Sequence, residues 1–83
     1  MVRNRSFNKL ILAIHDLMIH VKIMSVNKVP HKEMYDFIDE IEYLPQLIVS
    51  EEDQTELFDN ELIRICEKYN LTNILSKYNE LSE

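Results

Sequence analysis

Not one residue of this chain is glycine. That absence withholds the cheapest way to reverse a backbone, because two-residue β-hairpin turns need torsions that glycine alone adopts freely. No segment alternates apolar and polar residues over the length of a strand. What recurs instead is apolar residues three or four positions apart, the period of a helix with one buried face. These observations predict an all-α fold: a small antiparallel bundle of four helices, or five, in a single domain over residues 1–83.

The first helix is expected over Phe7 to Ser25, with Ser6 as its N-cap. Its main apolar face is Phe7, Leu10, Ile11, Ile14, Leu17, Met18, Val21 and Met24, which makes it the candidate central packing element. A narrower row, Leu12, Ile19 and Ile23, lies on the other side near Lys9, Asp16 and His20. The expectation is that two neighbouring helices sandwich the first and bury this row within the chain. Left uncovered, the row would form a dimer seam or a binding groove.

Pro30 suits the first turn of a second helix reaching Tyr43, with Met34, Phe37, Ile38, Ile41 and Leu44 at helical spacing. Pro45 ends it, and Leu47, Ile48 and Val49 read as one further helical turn starting at Pro45, in preference to an extended connector. Ser50 followed by Glu51, Glu52 and Asp53 is a helix-start signal, since acids in a first turn favour the macrodipole. The helix that follows runs to about Tyr69, and Asp59-Asn60 leave open whether it is one helix or two. Asn70 is the left-handed stop in the absence of glycine. Thr72 caps a last helix with Leu71, Ile74, Leu75, Tyr78 and Leu81 on one face.

Charge is distributed unevenly around its total of −6. Residues 1–32 sum to +5, whereas residues 33–61 hold eleven acids and no base. Such a block argues against nucleic acid as a ligand, which requires clustered Lys and Arg, and favours a basic protein partner, or simply the basic N-terminal third of the same chain. The expected binding surface is Asp36, Asp39, Glu40, Glu42, Glu51, Glu52, Asp53 and Glu56, with Tyr35 and Tyr43 as rigid aromatic anchors.

Other chemistry finds little support. The lone Cys66 permits neither an internal disulfide nor a cysteine zinc site and reads as a core residue in a reducing compartment. Asp16 and His20 share a helix face and are expected to form an ordinary surface ion pair, not a metal site. No phosphate loop, nucleophile-histidine pair or calcium-loop frame occurs. Neither an enzyme nor a cofactor-bearing protein is expected. His15, Asp16 and His20 interrupt the first apolar run, which fits neither a signal peptide nor a membrane span, and a cytoplasmic protein is expected. In size, helicity and acidity the chain is similar in class to bacterial immunity proteins and antitoxins directed against basic nucleases, although no motif identifies such a family. That likeness implies an inhibitor. The alternative is a homo-oligomeric structural or regulatory module, a homodimer for instance, joined through Leu12, Ile19 and Ile23.

Overall fold

A computed structural model describes residues 5–80, with side chains from Asn8 onward. Five helices follow in chain order: α1 (Arg5–Val26), α2 (His31–Ile41), α3 (Leu44–Val49), α4 (Thr55–Tyr69) and α5 (Thr72–Glu80). No strand occurs among the described residues, and no helix among them is long and apolar enough to cross a membrane. At 22 residues α1 is about 33 Å long, and it packs against α2, α3 and α5, while α4 packs against α3 and α5. The all-α bundle is therefore the fold, and residues 55–69 form one helix.

One core holds the bundle together. Leu10, Ala13, Leu17 and Met24 of α1 meet Phe37 and Ile41 of α2, Leu44 of α3, Phe58, Leu62, Ile65 and Cys66 of α4, and Leu71, Ile74 and Tyr78 beside or within α5. The buried arc of α1 is thus turned toward Ala13, away from the expected centre of its stripe. Ile14 and Val21 lie at the margin of the core, and Ile11 and Met18 are exposed. Phe7 and Leu81, also expected in the core, lie outside the described side chains. The turn of the helix draws Lys9 inward, where its ammonium lies 4.3 Å from the centre of the Tyr78 ring. A lysine stem can cover apolar surface in this way while its charge faces an aromatic ring.

Two residues take the left-handed conformation that glycine would otherwise supply. Asn70 (φ 59°) ends α4, with the amides of Asn70 and Leu71 both reaching the carbonyl of Cys66. Lys28 (φ 61°) ends α1, and the amide of Val29 returns to the carbonyl of Met24. The first was expected and the second was not, since Asn27 is the better left-handed residue of that pair. Lys28 pays a steric cost there. Lys28→Gly should therefore raise stability by about 0.5–1 kcal/mol, the relief of that cost outweighing the added freedom of an unfolded glycine. A thermal melt checks this, and a lower melting temperature would refute it.

Three expected N-caps are displaced. Ser6 falls inside α1, which begins at Arg5, and Thr72 is the first residue of α5 after Leu71. Ser50 does not start α4. Its hydroxyl accepts the Glu52 amide at 3.2 Å in a local turn, and α4 begins at Thr55, where Asp53 accepts from both the Thr55 amide (3.0 Å) and hydroxyl (2.7 Å). Short polar side chains that bond their own backbone compete with the helix and move its start.

Candidate functional site: the acidic surface and the outer face of α1

Helix α2 is amphipathic because Phe37 and Ile41 turn inward while its carboxylates alternate around the remaining arc. The acidic surface expected from the sequence is partly neutralised by cations farther along the chain. Arg64 lies 3.0 Å from Glu40 and 2.7 Å from Glu61, and Lys68 lies 2.5 Å from Glu40. Hydrogen bonds from Lys68 and Arg64 hold the Glu40 carboxyl below its usual range. Glu61 is lowered first by the hydroxyl of Tyr43, which donates to it, and then by Arg64. The group ties α2 and the α2–α3 connection to α4.

This network alters the role of two expected contact residues. Glu40 serves the fold, and Tyr43 is half-buried with its hydroxyl committed to Glu61, so it is not a free anchor. Burial, then the neighbouring Glu61, pushes the Tyr43 phenol above its ordinary value. Asp36 pairs with Lys32 at 3.4 Å one turn earlier, and Asp53 is occupied with Thr55.

The rest stands open. Asp39, Glu42, Glu51, Glu52 and Glu56 are exposed and have no cationic partner among the described residues. Tyr35 is 61% exposed, its ring 6.1 Å from that of His31. Asp36, Asp39 and Glu40 line a shallow depression between α2 and α4 together with Lys68 and Tyr69. The ten expected contact residues thus divide between α2 with its following turn and the α3–α4 connection with the first turn of α4.

On α1 the expected burial of the second row is overturned. Leu12 (41%), Ile19 (41%) and Ile23 (47%) are all exposed, although α1 has α2, α3 and α5 as neighbours. Ile19 and Ile23 form one wall of a groove whose other wall comes from Leu71, Asn73, Ile74 and Lys77 at α5. The expected pair of Asp16 with His20 is replaced. Asp16 meets Lys77 at 3.3 Å, and His15 stands 3.8 Å away. His20 instead packs against Phe37 in a T-shaped contact with ring centres 5.1 Å apart, and burial lowers its pKa. No three His, Cys, Asp or Glu residues gather as a metal site among the described residues.

Sequence reasoning missed Arg64 and Lys68 as counter-charges. Their spacing from Glu61 and from each other was a usable signal, but Glu40 is 24 and 28 residues away from them. The chain matches no protein-family model, no curated protein and no solved structure.

Proposed function

We propose that the chain is a non-catalytic binding module that engages a basic protein and inhibits it by covering its cationic surface. One observation carries this reading: Asp39, Glu42, Glu51, Glu52 and Glu56 are exposed and have no cationic partner among the described residues, although Arg64 and Lys68 neutralise other acids of the same block. Uncompensated carboxylates of one sign raise the rate of encounter with a cationic surface and set its orientation. Tyr35, exposed at the edge of α2, supplies the rigid amphipathic contact that such interfaces favour. The contact set is therefore Tyr35, Asp39, Glu42, Glu51, Glu52 and Glu56. Bacterial immunity proteins and antitoxins provide the analogy of class for inhibition.

The test starts from affinity capture in the native host, with the captured partner then purified for kinetics. A combined Asp39→Lys, Glu42→Lys, Glu51→Lys and Glu52→Lys variant removes acids that hold no described part of the fold, so its far-UV circular dichroism should be unchanged. Association with the partner should slow by about tenfold or more and lose most of its salt dependence. An acidic partner, or an unaltered association rate, would rule the reading out.

A further inference from the structure

Six of the ten large hydrophobic residues exposed among the described residues lie on the outer face of α1. Ile11, Leu12, Met18, Ile19, Ile23 and Val26 are all exposed along it, and Lys22 is the one Lys, Arg, Asp or Glu exposed among them. Asp16, at its edge, is already neutralised by Lys77. From their exposed fractions, the six side chains offer roughly 600 Å² of apolar surface, the upper end of what a monomer ordinarily leaves in one patch. Two such faces brought together would remove at most about 1,200 Å² from water, which reaches the lower bound of a specific interface.

We infer that a second copy of this chain covers this face, α1 against α1 in antiparallel sense, with Ile19 at the two-fold axis. Three features favour a copy of the chain. The area reaches the size a dimer requires only when both partners contribute a face of this kind. Helix ridges spaced three and four residues apart fit the grooves of an identical helix, so the face is complementary to itself. Finally, the uncompensated acids lie on α2, in the α3–α4 connection and at the start of α4, so two chains of net charge −6 meet here without opposing their acidic surfaces.

Charge also selects the direction. A parallel, in-register pair would set Lys22 beside Lys22. An antiparallel pair centred on Ile19 separates the two lysines by about 9 Å along the axis. Leu12 of one copy then lies level with Val26 of the other. The groove between α1 and α5, walled by Ile19, Ile23 and Ile74, receives the apposed ridge.

Sedimentation of the full chain from about 5 µM to about 1 mM should show a concentration-dependent dimer, half-formed at roughly tens of micromolar. Ile19→Glu should abolish it, because it sets two carboxylates together at the axis. Leu57→Glu, at an exposed position on α4, should leave it intact. Both positions are exposed, so circular dichroism should report native helicity for each. Mixed Leu12→Cys and Val26→Cys chains should cross-link to one another on oxidation. A monomer throughout the range, or a dimer that survives Ile19→Glu, overturns the seam; cross-linking of Leu12→Cys chains to themselves in preference to the mixed pair overturns the antiparallel arrangement.

Discussion

Phe37→Ala is expected to lower stability by about 3–5 kcal/mol, the usual loss when a buried phenylalanine is truncated. A chain of this length has only about 4–12 kcal/mol in total, so much of the population should be unfolded under mild conditions. Phe37 is fully buried, and its ring joins three helices. The His20 ring of α1 meets it at 5.1 Å and the Tyr69 ring of α4 stands against it edge-on at 4.8 Å. Alanine would leave both rings facing a cavity. Urea denaturation provides the measurement, with Phe37→Leu as a folded companion that retains most of the volume and costs less. A loss below about 1 kcal/mol for the alanine variant would mean that the three helices are held together elsewhere.

The second large effect is expected at a polar contact inside the apolar wall. Tyr78 is 4% exposed, and its hydroxyl donates to the Asp59 carboxylate across the α4–α5 interface. Burial, and then the adjacent Asp59, drives the phenol far above its ordinary pKa, so it remains a donor at every physiological pH. Asp59→Ala leaves that hydroxyl buried without an acceptor and should cost about 1–3 kcal/mol. Tyr78→Phe removes the donor, and the double variant should cost less than the sum of the two single ones. A double-mutant cycle with coupling above about 0.5 kcal/mol would bear this out; simple additivity would show that the contact contributes nothing.

The position of Asp59 also shows where sequence pattern stops being informative. A poor helix former in mid-segment suggested a break, yet the helix continues because Tyr78, 19 residues later, supplies a donor for that carboxylate. The elements themselves were legible where the signal was local, as with apolar spacing, Pro30 and the left-handed Asn70, whereas Pro45, expected to end the second helix, lies in the first turn of α3 after α2 has ended at Ile41. Ser50 failed as a marker because a hydroxyl that can cap a helix can equally close a turn ahead of it. The stripe on α1 showed that the helix was broadly apolar without showing which arc its neighbours would cover. For the same reason the row through Leu12, Ile19 and Ile23 could not be placed until α2, α3 and α5 were seen to leave it exposed. The acidic block was readable as composition. Its division into neutralised and open carboxylates was not, since Arg64 and Lys68 reach Glu40 through space.

Cys66 sits at the middle of this packing, 1% exposed, and burial pushes its thiol up to about 11. At neutral pH it is neither accessible nor ionised, and the thiolate is the reactive form. Alkylation must therefore wait until α4 lifts from the bundle and admits both water and reagent. As the chain's sole sulfhydryl, it is a native clock for that opening, and its rate of modification reports how often the core is breached without any probe having to be introduced.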